Sequence, residues 1–189
     1  MSKLIYITNT SLDGYIEDDT GAFDWGNPHQ VHEFITGLVR PIGTHLYGRR
    51  LYQTMAYWDA PVEGYPPEHR AFARVWQKAE KIVFSRTLTD VATSNTRLER
   101  HFDVEAIRKL KHESPHDIII GGAEVAGLAL EGGLVDECQL FLHPVIVGAG
   151  KPAFRPAVRR NLELLETRRF STGVIQLHYR VRGCATMPF

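Results

Sequence analysis

The chain has 189 residues, 43% hydrophobic and 23% charged, with 22 Lys+Arg against 22 Asp+Glu and a formal net charge of zero. That suits one soluble domain over residues 1–189 with a sizeable core. It argues against nucleic acid or an anionic membrane as partner, since both call for a basic excess. No apolar run reaches the roughly 18 residues that span a bilayer, and Met1 to Tyr6 runs straight into a strand pattern rather than a signal peptide. Cys138 and Cys184 are too few for a disulfide framework, so the cytoplasm is the expected compartment.

In chain order, residues 3–8 read as a buried strand. Ser11-Leu12-Asp13-Gly14 makes a turn, Tyr15-Ile16 is extended again, and 17–26 is a glycine-punctuated loop. Asn27-Pro28 reads as an N-cap and first helical residue. Val31, Phe34, Ile35, Leu38 and Val39 then recur at helical spacing until Pro41. A short strand at 44–47 leads through Gly48-Arg49-Arg50 into a second helix. Residues 68–79 carry Phe72, Val75, Trp76 and Ala79 on one helical face. The next strand, 81–84, ends at Ser85-Arg86. Asp103 caps a helix bearing Val104, Ile107 and Leu110. Ile118 to Ile120 is a buried strand, followed by a helix from Gly122 to about Glu131 that Gly132-Gly133 stops. Residues 137–147, 162–170 and 174–181 read as strands. Strand and helix alternate through residue 133, so the fold class is α/β: a three-layer α/β/α arrangement on a mixed, mainly parallel sheet with antiparallel C-terminal edge strands.

Three of these strand ends suit an anion. At Ile120-Gly121-Gly122-Ala123-Glu124-Val125-Ala126 a buried strand turns on two glycines into a helix N-terminus, where free N–H groups and the helix dipole favour negative charge. Gly48-Arg49-Arg50 and Ser85-Arg86 add guanidinium groups, whose forks match phosphate oxygens. Ligands of open α/β sheets bind beyond the carboxyl ends of the strands, so the three ends together point to a phosphorylated nucleotide.

The same segments resemble, in order, the dihydrofolate-reductase-like fold, and within it the reductase domain of the riboflavin-biosynthesis deaminase-reductase and its stand-alone relatives. The resemblance rests on Ser11-Leu12-Asp13-Gly14-Tyr15-Ile16, Leu46-Tyr47-Gly48-Arg49-Arg50-Leu51-Tyr52, Ile82-Val83-Phe84-Ser85-Arg86-Thr87-Leu88 and Ile120-Gly121-Gly122-Ala123-Glu124. It continues through Gly133-Leu134-Val135-Asp136-Glu137 and through His143 to Pro152. It implies NADPH as cofactor. Arg49, Arg50, Ser85 and Arg86 would lie near the phosphates, Ser85-Arg86 at the 2′-phosphate. Gly121-Gly122 would sit against the pyrophosphate, in that family often across a cis peptide, with Ala123, Glu124, Val125 and Ala126 supplying N–H groups. Asn9 and Ile16 would lie near the nicotinamide. Leu51 stands where related reductases often have Thr, which removes a hydroxyl contact to the cofactor.

On the substrate side, Trp25, Pro28 and Phe34 match the spacing of the dihydrofolate reductase pocket, but the acidic position falls on Gln30. Gln cannot relay a proton as a carboxylic acid can, which argues against dihydrofolate. Water or Glu33 is the proton source in this reading, and His29 reads as an exposed helix residue. Tyr57 and Trp58 either line an apolar pocket or belong to the core. Residues 52–61 lack the pattern with which riboflavin-pathway reductases hold a phosphoribosyl group. No CxxC or deaminase spacing occurs, so no metal site is expected. The expected activity is NADPH-dependent hydride transfer to a C=N or C=O bond of a small heterocyclic molecule. A diverged dihydrofolate reductase and a non-catalytic NADPH-binding protein are the alternatives. The family often pairs through its strand-rich tail, which implies a homodimer.

Overall fold

The structure, a computed structural model, describes residues 1–26, 28–156 and 158–183. Its elements in chain order are β1 (Leu4–Thr10), β2 (Tyr15–Asp18), α1 (His29–Val39), β3 (Thr44–Gly48), α2 (Arg49–Met55), α3 (Pro67–Lys78), β4 (Glu80–Phe84) and β5 (Thr96–Glu99). They continue with α4 (Val104–Glu113), β6 (Ile118–Gly121), α5 (Ala123–Glu131), β7 (Glu137–Leu142), β8 (Gly150–Pro152), β9 (Asn161–Arg169) and β10 (Ile175–Arg182). Two short 3-10 turns, Ala56–Asp59 and Val62–Gly64, join α2 to α3.

Successive side chains of a strand point to opposite faces, and here both faces are apolar. Leu4, Tyr6, Leu46, Ile82, Ile118 and Ile120 pack on one side against Ile107 of α4 and Val125, Ala126, Ala129 and Leu130 of α5. Ile5, Tyr47, Val83 and Ile119 pack on the other against Val31, Ile35 and Val39 of α1 and Phe72 and Trp76 of α3. Covering both faces with helices is what a parallel sheet requires, and it produces the three layers. The main sheet has eight strands in the order β5-β4-β3-β6-β1-β7-β10-β9. β1 is parallel to β6 and β7, β3 to β4 and β6, and β4 to β5. β10 is antiparallel to both β7 and β9. The expected mixed, mainly parallel sheet with an antiparallel C-terminal edge is therefore the observed one.

The Asp103 carboxylate caps α4, accepting from the Glu105 N–H at 2.9 Å and the Ala106 N–H at 3.4 Å. Asn27, the expected cap of α1, and Cys184 lie outside the described residues. Cys138 is a buried free thiol. Three elements differ from expectation. β7 stops at Leu142 rather than running to 147, because His143 turns away: its N–H still reaches Thr10 O at 2.8 Å, but its carbonyl accepts from the Val145 N–H across Pro144. β5 was not expected; it offers one apolar side chain, Leu98, and as an edge strand needs little more. β8 was not expected either, and it pairs with β2 as a separate two-stranded antiparallel sheet. Among the described residues no helix is long and apolar enough to cross a membrane.

Candidate active site

The parallel strands β1, β3 and β6 all end at one edge of the sheet, and a cleft of about 1720 Å³ opens there. Single-ligand pockets run to roughly 300–1,000 Å³, so the cleft has room for a dinucleotide and a second small molecule. Asn9, Ile16, Trp25, Gly48, Arg49, Arg50, Gly121, Gly122, Ala123, Glu124 and Val125 all border it.

The double-glycine turn lies at the centre of the cleft. Gly122 has φ +92°, a conformation side-chain-bearing residues rarely adopt, and it directly precedes Ala123, the first residue of α5. No peptide bond among the described residues is cis, so Gly121–Gly122 is trans. Tyr47 pairs with Gly121 across the β3–β6 ladder. A Cβ on Gly122 would lie 3.8 Å from the Gly48 nitrogen, so the β3 and β6 turns sit side by side. Leu51 covers them, since a Cβ on Gly121 would come 2.5 Å from Leu51 Cδ2.

The two arginines at the start of α2 diverge. Arg49 donates to the Thr87 hydroxyl at 2.9 Å, tying α2 to the segment after β4. Arg50 pairs with Glu17 of β2 at 3.1 Å, across the cleft mouth. Glu124, on the first turn of α5, is matched by Lys151 Nζ at 3.7 Å and Arg155 Nε at 3.6 Å. Its carboxylate therefore does not leave the helix N-terminus unbalanced. At the end of β1, Asn9 Oδ1 lies 3.1 Å from His143 Nε2. Burial holds His143 below the ordinary histidine range, which keeps the ring neutral. The Ser11–Gly14 loop is fastened to the 145–148 segment. Asp13 accepts from the Gly148 N–H at 2.8 Å and the Val147 N–H at 3.3 Å, and the Leu12 N–H donates to Val145 O at 2.7 Å.

The remaining sequence candidates lie outside the cleft wall. Ser85 is buried, and its hydroxyl accepts from the backbone of Thr87 and Leu88, which shapes the turn. Arg86 is exposed beside it. Ala126 is fully buried in the core of α5. On α1, Gln30 is exposed and accepts from the Ser171 hydroxyl at 2.8 Å. Phe34 packs edge-on against Phe141 and Phe170, beneath the Arg168 guanidinium. Glu33 is exposed, with no ion pair or hydrogen bond from its side chain among the described residues. The α1 residues that do line the cleft are His32, Ile35 and Val39. Their i, i+3, i+7 spacing was a readable signal for a second functional stripe on that helix. Sequence reasoning also missed Phe72 and left Trp58 between core and pocket; both line the cleft. Among the described residues no group of three or more His, Cys, Asp or Glu side chains could hold a metal ion.

A mainly parallel sheet with an antiparallel edge, a double-glycine turn and arginines beyond the strand ends defines a dihydrofolate-reductase-like α/β protein. More particularly, the chain belongs to the RibD C-terminal domain family, which it matches over residues 2–176. It is 33% identical to the uncharacterized protein YyaP of Bacillus subtilis (strain 168) over 183 residues, 96% of each chain. Solved structures share the fold. A Shewanella sp. PV-4 protein provisionally assigned to riboflavin biosynthesis aligns with TM-score 0.76 and 22% identity, over 96% of this chain and 99% of that one. The diaminohydroxyphosphoribosylaminopyrimidine deaminase/5-amino-6-(5-phosphoribosylamino)uracil reductase of Thermotoga maritima aligns with TM-score 0.68 and 17% identity, over 96% of this chain and 57% of that one. Dihydrofolate reductase from Enterococcus faecalis, complexed with NADP(H) and RAB-propyl, aligns with TM-score 0.64 and 15% identity, over 96% and 97%.

Proposed function

We propose that the protein is an NADPH-dependent reductase that delivers hydride to a C=N or C=O bond of a small heterocyclic substrate. The observation that carries this reading is the adjacency of the Gly121–Gly122 and Gly48 turns beneath a cleft bordered by Arg49 and Arg50. A backbone without side chains, a helix N-terminus and two guanidinium groups fit a pyrophosphate. The Enterococcus faecalis dihydrofolate reductase, which carries NADP(H), supports the choice of cofactor. The named reductase of Thermotoga maritima supports the reaction class.

NADPH, when bound, supplies the hydride. The chain's own residues bind and orient it. Gly121, Gly122 and the N–H groups of Ala123, Glu124 and Val125 receive the pyrophosphate; the Ala126 N–H, expected to join them, is spent on the Gly122 carbonyl at 3.0 Å. Arg50 neutralises the pyrophosphate, and Arg86, on the turn that Ser85 shapes, meets the 2′-phosphate together with Arg49, which reaches Thr87 beside it. Asn9, fixed by His143, and Ile16 border the nicotinamide. Trp25 borders the substrate, with Gln30 and Phe34 holding α1 from its far side. The proton comes from water or from Glu33; the exposure of Glu33 outside the cleft favours water. Gln30 stands at the acidic position of the dihydrofolate reductase pocket and lies outside the cleft, bonded to Ser171, which argues against dihydrofolate as the substrate. A cytoplasmic homodimer completes the reading, supported by the exposed Leu162, Leu164 and Leu165 on the edge strand β9.

Isothermal titration with NADPH and NADH, followed by a screen of imines and carbonyl compounds for NADPH consumption, tests the proposal. Micromolar NADPH binding, weaker NADH binding and turnover of at least one substrate are expected. Binding without turnover across the screen would make it a non-catalytic nucleotide-binding protein, and no binding of either nucleotide would overturn the reading.

A further inference from the structure

The end of β1 carries an amide locked by a buried histidine. Ile5 and Ile7 point to the face that α1 covers, so strand alternation turns Asn9 to the same face, where it borders the cleft. β1 runs parallel to β6 with Tyr6 beside Ile120. Counting on from that pair, Asn9 stands one residue beyond Gly122 and one strand spacing, about 4.8 Å, to its side. The sheet order β4-β3-β6-β1 puts Arg49 and Arg86 on one flank of the double-glycine turn and Asn9 on the other. A dinucleotide seated by its pyrophosphate on that turn therefore has its adenosine phosphate toward the arginines and its nicotinamide toward Asn9.

Asn9 is held by its acceptor end. Its Oδ1 lies 3.1 Å from Nε2 of His143, which is 2% exposed. A carboxamide oxygen can only accept, so Nε2 carries the proton and donates. His143 is itself fixed where the chain leaves β7, its N–H on Thr10 O at 2.8 Å. With Oδ1 engaged, both Nδ2 hydrogens remain. Among the described residues nothing accepts from Nδ2, and the atom keeps access to solvent. A fixed N–H donor without a partner thus faces the cleft. An amide donates a hydrogen bond without giving up its proton, so its chemistry is charge stabilisation rather than acid catalysis.

We propose that Asn9 is a catalytic residue whose Nδ2–H donates to the nitrogen or oxygen of the acceptor C=N or C=O bond, and that His143 is the positioning residue that aims it. This rests on the reductase reading. In the step, the acceptor carbon gains a C–H bond to the incoming hydride and the π electron pair moves onto the heteroatom. Water protonates that atom, and oxidation of NADPH to NADP+ balances the two electrons. Negative charge therefore grows on the heteroatom in the transition state. A preorganised donor aimed at that atom binds the transition state more strongly than the ground state. The cleft side of α1 offers His32, Ile35 and Val39 and no carboxylic acid, and Asn9 makes one unnecessary: it stabilises the charge until water supplies the proton.

The test uses tetrahydropyran-4-one as the C=O probe and 2-methyl-1-pyrroline as the C=N probe. Its first readout needs no turnover: the infrared carbonyl stretch of tetrahydropyran-4-one in the dead-end complex with NADP+. The stretch is expected at lower frequency in the wild type than in Asn9→Ala, with His143→Leu between them. The second readout is NADPH consumption with both probes. Asn9→Ala is expected to lower kcat about a hundredfold, while the probe KM and the NADPH Kd change less than about threefold. His143→Leu should lower kcat about tenfold, and His143→Gln, which keeps an N–H for Asn9, should recover part of that loss. The same stretch in wild type and Asn9→Ala, an unchanged kcat in Asn9→Ala, or an NADP+ complex of the wild type that binds neither probe overturns the proposal. If Asn9→Ala fails to fold by circular dichroism, the isosteric Asn9→Asp decides, since it keeps the shape and removes the donor at neutral pH: a wild-type stretch and kcat there overturn the proposal. Absence of NADPH binding by calorimetry defeats the cofactor reading and the proposal with it, whereas NADPH binding with turnover indifferent to Asn9 defeats the proposal alone.

Discussion

Gly150 of β8 lies so close to Glu17 of β2 that a Cβ at position 150 would fall 2.0 Å from the Glu17 carbonyl oxygen. The obstacle is backbone, which cannot turn aside as a side-chain tip can, and Gly150 also has φ +149°. This contact closes the β2–β8 sheet that walls one side of the cleft. From the same wall the Glu17 carboxylate pairs with Arg50. Gly150→Ala is therefore expected to cost about 1–3 kcal/mol and to weaken NADPH binding about tenfold. The far-ultraviolet circular dichroism should be almost unchanged, because the eight-stranded sheet does not depend on this pair. Denaturant melts and calorimetric titration check both parts.

Leu51 and Gly121 are expected to be energetically coupled. An Ala at 121 meets Leu51 Cδ2, the far end of a flexible side chain, so the substitution forces Leu51 to move. Gly121→Ala alone should destabilise by about 0.5–1.5 kcal/mol, the cost of pushing Leu51 off its rotamer. In the Leu51→Ala background it should cost at least ~0.5 kcal/mol less. Urea unfolding of the four proteins measures the coupling, and strict additivity would show that the two side chains do not compete for the same space.

His45 gives the acid limb of stability a definite sign. It is fully buried, and burial, with the Lys81 ammonium adding to it, holds its pKa down to about 3. Its Nδ1 lies 2.8 Å from the Tyr47 hydroxyl, and its Nε2 has no partner. Between pH 6.5 and about 3 the unfolded chain takes up a proton at His45 that the folded chain refuses. Stability is thus retained above pH 6.5 and falls as the pH drops through that window, by up to ~1.4 kcal/mol per pH unit. His45→Gln is expected to lower stability at pH 7 but to flatten this limb. Melting temperatures from pH 7.5 to 4 would read the difference in slope.

Arg49 is expected to govern the preference for NADPH over NADH. Its guanidinium lies on the cleft and reaches Thr87 beside Arg86. Arg49→Ala should raise the NADPH Kd about tenfold, the loss of one charge-assisted contact worth ~1.5 kcal/mol, while changing the NADH Kd by less than about threefold. Equal losses for both nucleotides would move Arg49 from the 2′-phosphate to the pyrophosphate. Arg86→Ala, measured in parallel, apportions the effect between the two arginines.

Where the sequence was legible, the signal was periodic and both faces of an element were in use. Ile118, Ile119 and Ile120 announce a strand buried on both sides, and Gly121-Gly122 announces its turn. Val31, Ile35 and Val39 announce the buried stripe of α1. β8 was illegible because Gly-Lys-Pro has no pattern of its own; it exists only through pairing with β2. The reach of β7 was overread because 143–147 stays apolar after the backbone has turned.

The local chemistry of the chain determined the sheet, its two helical layers and the anion-suited strand ends, because strand alternation, helical spacing and glycine turns are properties of neighbouring residues. Tertiary structure decided which of the stripes legible on α1 borders the cleft. His32, Ile35 and Val39 line the cleft, while Gln30 bonds to Ser171 and Phe34 packs on Phe141 and Phe170. The rotation of a helix about its axis is set by what it packs against, here α3 on one side and the β7–β10 strands on the other. Those partners are separated from α1 by dozens to more than a hundred residues, beyond the reach of any local pattern.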